Sequence, residues 1–183
     1  MTRRVIDDPK LRSFMTLFEK WNQSINLSAA RTRDDLEQHI LDCLNVVPHL
    51  ATASTVLDVG SGGGLPVVVA AISLPDVSFT ALEPVHKKHA FLRTAARELG
   101  LINLEAFAVR IEDHERRDYD AACSRATFDL GEWLSLGLTY VRPGGFVVGF
   151  EAVERTDLPM PVERHAYELA DKTRAIVIAR RES

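Results

Sequence analysis

The chain has 183 residues, 46% hydrophobic and 26% charged, with 22 basic and 26 acidic side chains and a formal net charge of −4. These ordinary globular values exclude a disordered chain, a collagen-like fibre and a polar low-complexity tail. The length suits one domain that buries about 70% of its unfolded surface without a disulfide or a metal.

Up to about residue 50 the pattern is helical. Leu11, Phe14, Met15, Leu17, Phe18 and Trp21 recur at three- and four-residue spacing and make one apolar face. Asp34 and Asp35 are N-cap candidates for a second helix carrying Leu36, Ile40, Leu41 and Leu44. From Thr55 the character changes. Thr55-Val-Leu-Asp-Val59 is a β-branched run ending in glycines, which predicts a buried strand. Leu65 to Ser73 reads as a helix with Pro66 in its first turn. Val77 to Leu82 is a second strand, and His86 to Leu99 a helix stopped by Gly100. Leu104 to Val109 and Tyr119 to Ser124 are further strands, and Phe128 to Val141 is helical. Arg142-Pro-Gly-Gly145 reads as a turn before a strand at Phe146 to Phe150. His165 to Ala170 and Arg174 to Ala179 read as a closing hairpin. Strands alternating with helices imply crossover units, hence a mostly parallel sheet with helices on both faces. Ligands then bind beyond the carboxyl ends of the strands, so the loops after Val59, Leu82, Val109 and Ser124 should carry the chemistry.

Cys43 and Cys123 lie far apart and form no CxxC, which excludes a zinc site built on cysteine pairs; no metal is expected. The polar start, Met1 to Pro9, is unlike a signal peptide, and the apolar stretch Leu65 to Leu74 is about half of what a bilayer span needs. A soluble cytoplasmic monomer without membrane partners is expected. The acidic balance gives no global attraction to nucleic acid, so an RNA partner would need a local basic patch.

The strongest motif is Leu57-Asp-Val-Gly-Ser-Gly-Gly-Gly-Leu-Pro66, placed between a strand and a helix. Gly60, Gly62 and Gly64 are spaced GxGxG, and a dinucleotide fingerprint would want glycine where Leu65 stands. Asp58 would repel a pyrophosphate and suits a cationic ligand such as S-adenosylmethionine, which carries an amino group, a sulfonium and no phosphate. Glu83 ends the second strand, where an acid can bind both ribose hydroxyls. Ile111 with Glu112 follows the third strand and could cover and hydrogen-bond an adenine, although Glu112 and Asp113 also read as a solvated loop.

From Trp21 to Gly149 the chain resembles the GidB-type (RsmG) methyltransferases, which methylate N7 of a guanine in small-subunit (16S) ribosomal RNA. The resemblance rests on Trp21-Asn22 with Asn26-Leu27-Ser28, His39-Ile-Leu-Asp42, the glycine loop, Lys88-His-Ala-Phe-Leu-Arg93, Arg110-Ile-Glu112 and Ser124-Arg-Ala126. It implies a Rossmann-like class I methyltransferase: an α/β fold whose mostly parallel seven-stranded sheet carries helices on both faces and a C-terminal antiparallel hairpin. Residues 1–50 would be a helical extension packed on a cofactor-binding unit of residues 51–183. The family's cofactor contacts would fall on Gly60, Leu65, Ile111, Glu112 and Arg125. Four features depart from the family pattern: Gln38, Val67, Glu83 and the pair Phe150-Glu151, where Lys-Gly is usual.

Guanine N7 carries its own lone pair, so no general base is required, and alignment can supply most of the catalysis. His39 and Asp42 share a helical face and are candidates for the substrate side, with Arg125 as an organiser. His39 reads equally as a packing histidine. A cationic track for RNA would include Lys87, Lys88 and Arg110, extended by Arg93, Arg97, Arg116, Arg117, Arg3, Arg4 and Arg142. Phe91, Leu92, Trp21 and Trp133 read as core. The alternatives are a methyltransferase for a small molecule or another RNA, a non-catalytic cofactor-binding relic, and a nucleotide-dependent dehydrogenase.

Overall fold

The structure, a computed structural model, describes residues 6–183. Arg3 and Arg4 lie outside the described residues. Helix α1 (Pro9–Ile25) begins where Asp8 accepts the backbone N–H groups of Lys10 and Leu11, and it ends at Asn26 in the left-handed region. In α2 (Arg33–Leu44) the N-cap is Thr32, not Asp34 or Asp35. Asp35 occupies the third helical position of a capping box. Its N–H donates to Thr32 Oγ1 at 3.1 Å, and its carboxylate accepts from Thr32 N at 3.0 Å. A short helix α3 (Val47–Leu50), which the sequence pattern did not announce, closes this region.

The rest runs β1 (Thr55–Val59), α4 (Val67–Ser73), β2 (Ser78–Leu82), α5 (His86–Glu98), β3 (Leu104–Phe107), a 3₁₀ turn (Ile111–Asp113), β4 (Tyr119–Ser124), α6 (Leu130–Leu138), β5 (Val141–Glu151), β6 (Glu163–Leu169) and β7 (Lys172–Arg180). The seven strands lie in the order β3-β2-β1-β4-β5-β7-β6. Strands β1 to β5 are parallel, and β7 runs antiparallel to both β5 and β6. This is the Rossmann-like class I methyltransferase architecture. The chain direction of travel across the sheet reverses between β1 and β4, which opens a crevice at their carboxyl ends.

Alternation along the strands divides the core. Val56, Phe79, Ala121, Cys123 and Val148 face α1, α2, α4 and α5, whereas Leu57, Val59, Ala122 and Val147 face Trp133 and Leu134 of α6. Phe91, Leu92 and Trp133 are buried as the pattern predicts, and Trp21 packs on Phe91 with centroids 5.6 Å apart.

Several boundaries differ from the sequence reading. Pro66, after a cis peptide bond, stands just ahead of α4 rather than inside its first turn. Helix α6 starts only at Leu130, because Asp129 caps it by accepting from Gly131 N and Glu132 N. The stretch Arg142–Gly145 belongs to β5, where the pairing with β4 shifts register between Tyr119 and Ala121. The hairpin turn uses Ala170 and Asp171, both at positive φ (50° and 60°), which matches the twist of the flanking strands.

Candidate functional site

The crevice is built from three segments: the glycine loop after β1, the end of β2, and residues 124–127 after β4. Asp58, near the end of β1, is buried at 1% exposure. Its Oδ1 accepts from Cys123 Sγ at 3.3 Å, while Oδ2 has no partner among the described residues. Burial pushes its pKa up to about 6, opposed by Ser61 and Cys123. This leaves a buried carboxylate oxygen open to a further donor or a cation.

Gly60 turns the chain at φ 70° and donates its N–H to Leu82 O at 2.9 Å. A Cβ there would stand 2.3 Å from Thr127 Oγ1, so a side chain is excluded on two grounds. Gly62, at φ 51°, donates to Glu83 Oε2 at 2.8 Å, and its side-chain direction is open apart from Gly60 O at 3.8 Å. Backbone and ligand can therefore approach each other there. Gly64 closes the turn by donating to Ser61 O at 2.7 Å, and Leu65 is buried in the core below. Glu83 is also buried; its Oε1 accepts from Val85 N at 2.8 Å.

The segment after β4 is tied to the same loop. Ser124 Oγ donates to Val59 O at 2.8 Å, and Thr127 Oγ1 to Gly60 O at 3.3 Å. Between them Arg125 turns to α2: its Nε donates to Asp42 Oδ2 at 3.0 Å and its NH2 contacts His39 Nδ1 at 3.0 Å. The three candidate catalytic residues thus meet at one point. Burial, and then Arg125, depress the pKa of His39, while Asp42 and Asp35 oppose them.

Ile111 is buried, and its carbonyl accepts from Tyr140 OH at 2.6 Å, whereas Glu112 is exposed. Lys87 and Lys88 lie in the first turn of α5 and Arg110 ahead of the 3₁₀ turn, all on the loop side where β2 and β3 end. Lys87 and Arg110 are exposed and Lys88 is partly so; among the described residues none of the three forms an ion pair. Arg116, Arg117 and Arg142 do not extend this track. The chain crosses to the amino end of β4 before them, so Arg116 stacks on Tyr119, Arg117 on Tyr140, and Arg142 pairs with Asp120.

Four participants escaped sequence reasoning. Cys123 and Thr127 share short segments with recognised motifs, but nothing local marks them. Tyr167 and Arg174 face each other across the hairpin and both donate to Asp42 Oδ1, at 2.7 and 3.4 Å. Only tertiary structure joins them to α2.

Residues 7–157 match the family model GidB, described as rRNA small subunit methyltransferase G. A protein from Chromobacterium violaceum named ribosomal RNA small subunit methyltransferase G is 39% identical over 145 residues, covering 78% of this chain and 69% of its own. One of the same name from Neisseria gonorrhoeae is 35% identical over 183 residues, covering 89% and 88%. Among solved structures, the O-methyltransferase TomG from Streptomyces achromogenes, in complex with SAM, has a TM-score of 0.65 at 18% identity, over 98% of this chain and 92% of that one. An O-methyltransferase from Bacillus cereus in complex with SAH has the same TM-score at 16% identity, over 98% and 94%. At such identities the likeness concerns the fold alone. The match to the family model spans most of the chain and includes the glycine loop, His39, Asp42 and Arg125: the chain belongs to the GidB family of small-subunit rRNA methyltransferases.

Proposed function

We infer that the chain transfers a methyl group from S-adenosylmethionine to N7 of a guanine in 16S ribosomal RNA. The observation that carries this reading is the match of residues 7–157 to the GidB family, and its cofactor half is supported by the buried Oδ2 of Asp58, unpartnered among the described residues, beside an open glycine loop. That carboxylate favours a cationic ligand and disfavours a diphosphate. Glu83 already accepts one backbone N–H at each oxygen, and each oxygen keeps a second lone pair for a ribose hydroxyl. Gly60, Gly62, Gly64 and Leu65 form the floor, and Ile111 with Glu112 would hold the adenine. When bound, S-adenosylmethionine supplies a methyl carbon already activated by its sulfonium.

The protein's task is alignment, since guanine N7 needs no base. Arg125 cannot deprotonate and serves as an organiser of the crevice. Next to it, at the carboxyl ends of β4 and β5, lies a cavity of about 230 Å³ lined by Ser124, Phe128, Trp133 and Phe150, among others. Of these, Phe128 and Phe150 are partly exposed and would offer the stacking surface for an extruded purine, whereas Trp133 is buried beneath Phe128. Lys87, Lys88 and Arg110 would contact phosphates at the rim. Of the expected extension of residues 1–50, the described part, residues 6–50, would bring His39 and Asp42 to the unit of residues 51–183. The chain is read as a monomer acting in the cytoplasm. No helix among the described residues is long and apolar enough to cross a membrane.

The test is incorporation of labelled methyl into small ribosomal subunits that lack the mark, with the modified base mapped. Transfer to guanine N7 is the expected result. Tight cofactor binding without transfer would favour a relic or a different substrate. Preference for a nicotinamide dinucleotide would reject the methyltransferase reading altogether.

A further inference from the structure

We propose that His39, as the neutral Nε2–H tautomer, is a positioning residue that locks the guanidinium of Arg125 beside the glycine loop. The proposal deepens the methyl-transfer reading and rests on it for its catalytic consequence. The geometry of the contact dictates the tautomer. A guanidinium has five N–H donors and no acceptor. The 3.0 Å contact between Arg125 NH2 and His39 Nδ1 therefore uses the Nδ1 lone pair, and the ring proton sits on Nε2.

The lock has two points, both on α2. Asp42 takes Nε of Arg125, and His39, one helical turn earlier, takes NH2. Neighbouring nitrogens are anchored to one helix face, which fixes the plane of the fork as well as its position. The anchor is itself held, because Tyr167 of β6 and Arg174 of β7 both donate to Asp42. Arg125 then hands this order on through its neighbours Ser124 and Thr127, which bind the carbonyls of Val59 and Gly60. A histidine that merely filled space would show none of this connectivity.

Protonation undoes the lock. A second ring proton would place a donor on Nδ1 against the donor of Arg125, and a cation against a cation. The charged groups facing His39 are Asp35 and Asp42 on its own helix, Arg125 after β4 and Arg174 on β7. Partial burial, and then the contact with Arg125, hold the ring's pKa below the usual imidazole range, while Asp42 and Asp35 oppose them.

The experiment uses the full chain labelled with ¹⁵N. Long-range ¹H–¹⁵N correlation of His39 is expected to show an unprotonated Nδ1 and a protonated Nε2; the opposite pattern overturns the proposal. The Nη–H signals of Arg125 are expected to be resolved and to exchange slowly with water in the wild type, to average and exchange quickly in His39→Leu, and to be resolved again in His39→Asn, whose amide oxygen can replace Nδ1 as acceptor. An Arg125 signal indifferent to His39→Leu also overturns it. These readouts need neither cofactor nor RNA, so they decide the lock even if methyl transfer to ribosomal subunits fails. In the transfer assay His39→Leu should lower kcat at least tenfold with KM for S-adenosylmethionine within about twofold, and His39→Asn should recover to within about threefold of the wild type. Equal losses in both variants count against the proposal.

Discussion

Gly62 donates its backbone N–H to Glu83 Oε2 at 2.8 Å, which pins the open tip of the glycine loop to a side chain 21 positions later. The other oxygen of Glu83 holds Val85 N, so one carboxylate orders both the loop and the entry to α5. Glu83→Ala removes two acceptors at once and leaves part-buried donors without partners. The expected cost is about 2–3 kcal/mol in chemical denaturation, together with a loss of about tenfold or more in S-adenosylmethionine affinity by calorimetry. Glu83→Gln keeps one acceptor oxygen and should fall between. Undiminished cofactor binding in Glu83→Ala would remove this residue from the site.

Asp58 gives a stability profile with an unusual sign. Its pKa rises from an ordinary 3.8 to about 6 on folding, through burial above all. Between those values the folded chain keeps a proton that the unfolded chain has lost, so stability falls as pH rises from about 4 to 6 and is level above. The span corresponds to about 3 kcal/mol for this group. Asp58→Asn should flatten that part of the profile. A cationic ligand beside Oδ2 favours the ionised form, so cofactor binding near pH 5.5 should release protons. Calorimetry in two buffers of different ionisation enthalpy reads this directly, and binding without proton release would mean that Asp58 does not face the cation.

What the sequence revealed of this site follows the range of the interactions. The glycine loop is legible because its glycines, Asp58 and the flanking strand and helix lie within ten residues, and local backbone geometry demands those residue types. His39 and Asp42 show their shared face through helical spacing alone. That Arg125 meets them follows only from the packing of α2 against the sheet. The hairpin's part in holding Asp42 was invisible, since Tyr167 and Arg174 lie 125 and 132 positions away. The fold was read well where β-branched runs end in glycine, and less well where a side chain sets the boundary. Asp129 delays α6, and Thr32 rather than an aspartate starts α2. Arg142 looked like part of a turn, yet β5 absorbs its stretch as an irregularity of the ladder.

Glu151 closes β5 and is held by the loop that follows it. Its carboxylate is almost fully buried, bridged by Arg164 through Nε at 3.0 Å and NH2 at 3.3 Å, and capped by Arg155 N at 2.9 Å. Arg164 also donates to Arg155 O, so the pair fastens the loop between β5 and β6. Arg164→Ala should destabilise the fold by about 2–3 kcal/mol, because the buried charge keeps only one donor. Adding Glu151→Gln should return part of that loss, as removal of the stranded charge relieves its desolvation. Thermal and urea unfolding of the two single variants and the double variant measure the coupling. Additive losses would show that the bridge contributes nothing of its own.

The basic residues at the loop edge lead to a prediction in salt. With a net charge of −4 the chain as a whole does not attract RNA, so affinity must come from a few placed cations. Lys87 and Arg110 are exposed and Lys88 partly so, none of the three forms an ion pair among the described residues, and they flank the strand ends where the crevice opens. Each cation that neutralises a phosphate steepens the dependence of log affinity on log salt by roughly one unit. Replacing all three by alanine should therefore flatten that slope for small-subunit RNA by about two to three units and weaken binding most at low salt. Cofactor affinity of the free protein should be unchanged. Arg142→Ala is the matched control, because Arg142 is held by Asp120 at the amino end of β4, away from the crevice. If that control lowers the slope as much as a single change at Lys87, RNA does not enter over the carboxyl edge of the sheet.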